Sequence, residues 1–174
     1  MEQESKAVAL MEQVAKKYPV KSVAAVPQFV AEHEVPTLRT LGRGDYGPEA
    51  ALATVKLAVI ELDHFLGLKH RLTEQHVNFI AETIWDEYGG ELTMADLNII
   101  FNAFKRGEVE LYERLSPPQL LRYIKDYTEN RRLAFETYNW DIDNKTYGGK
   151  GEARKNLRAA EEMFKAIGFK KLNN

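Results

Sequence analysis

The chain has no cysteine. That excludes a disulfide framework, a thiolate metal site and a cysteine nucleophile. No apolar stretch approaches the roughly 18 residues that a membrane span requires. The first residues, Met1-Glu2-Gln3-Glu4-Ser5, are acidic, whereas a secretory signal starts basic and runs into an apolar core. A net charge of −2 gives no general drive toward nucleic acid or acidic membranes. These absences predict a cytoplasmic protein that does not engage a membrane. No stretch alternates with the two-residue period of a strand, and residues 23–30, interrupted by Pro27, are the least regular.

What is present is helical. Hydrophobic residues make up 44% and charged residues 29%, the balance of a globular domain rather than a disordered chain. One local pattern occurs three times: a leucine, a hydroxyl residue, and an aliphatic residue four positions later. The instances are Leu72-Thr73 with Val77, Leu92-Thr93 with Leu97, and Leu115-Ser116 with Leu120. The hydroxyl caps a free backbone N–H, and the apolar pair staples the incoming chain to the first turn. Asp96 holds the capping-box position for Thr93, and Pro117 and Gln119 add start signals after Ser116. Gly67, Gly89-Gly90, Gly107 and Gly168 follow apolar-periodic runs, where a left-handed terminating residue is expected. Between starts and stops the spacing is helical, as in Leu52, Val55, Val59, Leu62 and Leu66.

The expected fold is all-α, an orthogonal bundle of six or seven helices with a separate basic C-terminal helix. Its divisions are an N-terminal helix and irregular loop (1–47), a helical core (48–140), a glycine-rich linker (141–151) and a basic helix (152–174). Residues 144–174 hold 8 Lys/Arg against 3 Asp/Glu, a balance of +5. Residues 1–143 hold 16 against 23, a balance of −7. An acidic body with a basic tail points to work on nucleic acid or an acidic partner; the alternative is a solvated helix face.

Catalytic-looking motifs each lack a required part. Gly42-Arg43-Gly44-Asp45-Tyr46-Gly47 matches G-x-G-x-x-G, but no strand precedes it as a dinucleotide fold requires. Asp141, Asp143 and Glu152 fall at calcium-loop positions 1, 3 and 12, yet Lys145 and Thr146 occupy positions 5 and 6, where a ligand and a glycine belong. Glu61 and His64 form a single Glu-x-x-His, whereas a di-metal bundle uses two. His64, His70 and His76 do not share a helix face. There is no G-x-S-x-G and no Walker-type loop. No catalytic residue, metal site or cofactor is expected.

Binding residues are more readily named. Arg122, Lys125, Arg131 and Arg132 interleave with Tyr123 and Tyr127, and Arg154, Lys155 and Arg158 recur in the tail. Cations neutralise phosphates and tyrosines stack on unpaired bases, so these are the nucleic-acid candidates. Tyr127 falls on the apolar stripe and is expected in the core. Trp85, Phe101, Trp140 and Phe169 are aromatic anchors for a partner or parts of the core.

A longer resemblance follows from Leu72-Thr73-Glu74-Gln75-His76-Val77, Ala81-Glu82-Thr83-Ile84, Leu92-Thr93-Met94-Ala95-Asp96-Leu97, Phe101-Asn102-Ala103-Phe104-Lys105-Arg106-Gly107, Tyr112-Glu113-Arg114-Leu115, and residues 127–131. Over roughly residues 48–133 the chain resembles a helical family of Bacteroidota, their mobile elements and their phages. The family carries over no activity and no catalytic residue. The helical layout is also similar to small phage proteins that load or inhibit the replicative helicase. The resemblance implies a non-enzymatic adapter in phage or mobile-element DNA replication. Its partner would be a replicative helicase or another replication or assembly protein, with nucleic acid a second ligand. Trp85, Lys105, Arg106, Tyr112 and Arg114 are the partner-binding candidates. A component of a phage particle and an enzyme of unrecognised type are the alternatives.

Overall fold

The computed structural model describes residues 20–44, 46–111 and 113–147. Among them are six α-helices and no strand: α1 (Val26–His33), α2 (Leu38–Arg43), α3 (Gly47–Leu66), α4 (Glu74–Thr83), α5 (Met94–Lys105) and α6 (Pro117–Tyr147). The all-α bundle is therefore as expected. The chain divides into two compact units between Ala134 and Phe135. No described helix is long and apolar enough to cross a membrane. The expected N-terminal helix and basic C-terminal helix lie mostly or wholly outside the described residues.

In the first unit α3 lies at the centre of the packing, against α2, α4 and α5. Its inward stripe, Val55, Val59 and Leu62, is fully buried, as are Ile80, Ile84, Leu97, Ile100 and Phe104 from its neighbours. Each such side chain contributes about 1.5–3 kcal/mol by leaving water. The first turns of α6 join this core through Leu120 and Ile124, and Tyr123 meets the Phe104 ring edge-on at 5.1 Å.

Two of the three predicted helix starts show the capping hydrogen bond. Thr73 accepts from the His76 N–H. Thr93 and Asp96 form the reciprocal box expected of them. At the third, the Ser116 carbonyl accepts from the Gln119 and Leu120 N–H groups. Gly67 ends α3 at φ +59°, where any side chain would strain the backbone. Gly89 does not behave as expected. Its φ is −62°, and its role is close approach: a Cβ there would fall inside the Trp85 carbonyl oxygen.

The 35–47 segment is not wholly irregular. Thr37 caps the short helix α2 by accepting from the Thr40 N–H. α2 begins where another helix ends. α4 widens into a π-turn, Ile84–Tyr88, and the carbonyls beyond it face the start of α2. Leu38 N–H donates to the Leu92 carbonyl and Arg39 N–H to the Gly89 carbonyl, both at 2.8 Å. The Arg39 guanidinium adds a bond to the Asp86 carbonyl at 2.7 Å. The otherwise free N–H donors at the start of α2 are thus satisfied by carbonyls at and just beyond the end of another helix. That junction holds a helix too short to persist alone. Residues 141–147, expected in the glycine-rich linker, are instead helical, because α6 runs to Tyr147; the rest of that segment lies outside the described residues.

Candidate functional site

An open groove of about 1100 Å³ lies in the first unit. Three segments build it. The loop after α3 brings His70 and Arg71, the first turns of α4 bring His76 and Phe79, and residues 113–119 supply the opposite wall. Sequence distance hides this assembly: the two walls lie some forty residues apart.

Each wall is held by named bonds. Arg71 donates to the Asp63 carbonyl, and its guanidinium lies 3.5 Å from the buried Asp63 carboxylate. The same carboxylate accepts the Leu72 N–H at 3.3 Å, so one aspartate ties the loop to α3. His70 N–H donates to the Glu113 carbonyl at 3.3 Å, linking the walls, and the side chains of this pair approach to 4.0 Å. Gln119 fixes the chain ahead of α6 by donating to the Glu110 carbonyl at 2.8 Å. Phe79 is 56% exposed on this groove, beside Leu115, Pro117 and Pro118. Arg114 is exposed there and forms no ion pair with any described residue. No described group of three His, Asp or Glu side chains is arranged to hold a metal ion.

Beneath the surface, α5 and α6 share a buried polar cluster. Asp96 is fully buried and accepts from the Thr93 N–H and hydroxyl, both at 2.8 Å, from the Tyr127 hydroxyl at 2.8 Å and from Arg131 Nε at 3.0 Å. Burial, then the neighbouring Asp96 charge, raises the Tyr127 hydroxyl far above the ordinary tyrosine range. The tyrosine therefore stays protonated and serves as a donor. The arrangement neutralises a buried charge and locks α5 to α6.

The named binding candidates separate accordingly. Arg131 was expected to face phosphates; its guanidinium is instead buried against Asp96. Arg132 is exposed and grips Glu91 through two hydrogen bonds, at 3.0 and 2.6 Å. That grip holds the Glu91 carboxyl below the usual range. Arg122 and Lys125 are exposed on α6. Lys105 pairs with Glu61 at 2.8 Å and sits 5.2 Å from the centre of the exposed Phe65 ring. Arg106 pairs with Glu108 at 2.7 Å. Trp85 lies partly buried with its ring tip against Gly42, where a Cβ would come within 2.7 Å. Phe101 is buried in α5. Tyr112, Arg154, Lys155, Arg158 and Phe169 lie outside the described residues. Of the described partner candidates, only Arg114 lines the groove.

His70, Arg71, His76, Phe79 and Pro118 were not picked out as site residues by sequence reasoning. One signal was available: Phe79 falls between Val77 and Ile80 on α4, off the inward stripe, and a large aromatic at such a position is a candidate contact. Comparison with protein-family models, curated proteins and solved structures finds no match for this chain.

Proposed function

We propose that this protein is a helical adapter that works by binding a partner protein, and that the groove between residues 70–79 and 113–119 receives that partner. The observation that carries the reading is Phe79. A phenylalanine 56% exposed in a concave surface, with an unpaired arginine beside it, has the makeup of an interface anchor. The walls are fixed by hydrogen bonds before any partner arrives, which lowers the ordering cost of binding. The resemblance to the Bacteroidota and phage family supports a setting in DNA replication of a phage or mobile element, with a replicative helicase or another replication or assembly protein as partner.

The test is affinity capture from the native cell with wild type and Phe79→Glu side by side, after matched melting curves. A protein retained by wild type and lost by the variant supports the reading. Recovery of the same proteins by both would remove the groove from the account. Nucleic acid is a second ligand on this reading, favoured by the exposed Arg122 and Lys125, which lie one turn apart on α6.

A further inference from the structure

The chemistry of the groove narrows what it takes. We propose that it holds an extended acidic segment of the partner, with one carboxylate on Arg114 and a neighbouring apolar side chain against Phe79, Pro117 and Pro118. The proposal rests on the groove being the partner site. Four basic side chains line it, His70, Arg71, His76 and Arg114, against one acid, Glu113. Arg71 is already engaged by Asp63 and Glu113 approaches His70, so Arg114 is the arginine left for a ligand. Guanidinium and carboxylate match in charge and in their paired geometry.

A phosphate ligand fits less well. A helix start normally offers phosphate its free backbone N–H groups. Here Pro117 and Pro118 have none, and the Gln119 N–H is taken by the Ser116 carbonyl at 3.1 Å. What remains at that end is an apolar, rigid wall. It suits an aliphatic or aromatic side chain better than a sugar-phosphate chain. The volume, about 1100 Å³ and open to solvent, suits several residues of extended peptide more than a single small molecule.

Four labelled probes test this on the full chain by fluorescence anisotropy at low salt. They are a twelve-residue peptide of aspartate, leucine and phenylalanine with serine spacers, the same peptide with lysine for aspartate, the same with alanine for leucine and phenylalanine, and a twenty-nucleotide oligothymidylate. The acidic-apolar peptide should bind best. Arg114→Glu should weaken it about tenfold or more and improve the lysine peptide, a charge reversal that unfolding would not produce. Phe79→Ala should cost about tenfold on the acidic-apolar peptide and leave the alanine peptide unchanged. Preferred, Arg114-dependent binding of the oligothymidylate would overturn the proposal in favour of nucleic acid. If no probe binds while native capture still depends on Phe79, the acidic segment is wrong and the partner groove stands. If neither behaves as expected, both readings fail.

Discussion

Truncating Asp96 to alanine tests the buried cluster most directly. Four hydrogen bonds end on that carboxylate, which has no exposure to solvent. Removing it breaks a buried ion pair, which costs about 3–5 kcal/mol because the buried Arg131 guanidinium loses the carboxylate of Asp96. It also removes half of a capping box, where a lost cap costs about 0.5–2 kcal/mol. These terms share atoms and do not add, so the expected loss is about 4 kcal/mol. Against a typical total of about 5–15 kcal/mol this is severe. Urea unfolding at pH 7, followed by far-ultraviolet circular dichroism, measures it. The double variant Asp96→Ala with Arg131→Met should be more stable than Asp96→Ala alone, because the buried guanidinium goes too. A loss below about 1 kcal/mol for Asp96→Ala, or no recovery in the double variant, would refute the idea that this ion pair locks α5 to α6.

Further expectations follow from the same contacts. The folded protein keeps the Tyr127 proton that an unfolded chain releases near pH 10. That stabilisation is complete below pH 10 and lost as the pH rises above it, so stability should fall at alkaline pH, and Tyr127→Phe should flatten the fall in pH-stepped melts. An equal slope in the variant would count against it. The Glu91 carboxyl, held low chiefly by the hydrogen bond from Arg132, adds stability that is complete above the ordinary glutamate value of 4.5 and is lost as the pH falls below it, through the lowered folded value. Glu91→Gln should slightly reduce acid sensitivity below that value in the same melts, a small effect because the pair is exposed. Gly89→Ala should cost about 1–3 kcal/mol by forcing the new methyl against the Trp85 carbonyl, read as a drop in melting temperature; an unchanged midpoint would mean the turn yields freely.

Much of the fold was legible because its signals are local. Thr73 and Thr93 cap where the leucine-hydroxyl pattern put them, and the Thr93–Asp96 box needs only four consecutive residues. What escaped depends on distant chain. Six residues of α2 show no periodicity, and its first donors bond to carbonyls some fifty residues later. Gly148, Gly149 and Gly151 mark residues 141–151 as a linker, but all three glycines follow Tyr147, and a helix needs no apolar stripe through 141–147 once its turns are propagating. Arg131 was partly legible. It lies one turn after Tyr127 and two after Ile124, so the inward stripe that claims both also claims Arg131, while Arg132 is turned away. Composition counts both as basic; helix phase separates them. The groove was the least legible, since its two walls are joined by no motif and meet only when His70 bonds to Glu113.

This separation sharpens what nucleic-acid binding would require. Of the four cations expected along residues 122–132, Arg131 is enclosed and Arg132 must first release Glu91. Arg122 and Lys125 remain exposed. Two phosphate contacts release counterions with a log–log salt slope of about −1.4 for a single strand, at about −0.7 per contact. Full-chain binding to oligothymidylate, titrated from 50 to 200 mM salt, is the measurement. A slope near −1.4 that vanishes in Arg122→Ala with Lys125→Ala assigns the contacts to α6. A slope steeper than about −3 cannot come from two cations. It would move the nucleic-acid surface to the basic residues 144–174, and Arg154→Ala with Lys155→Ala and Arg158→Ala should then reduce it by about 2. No measurable binding at 50 mM salt would remove nucleic acid from the account and leave the acidic body to act through the groove alone.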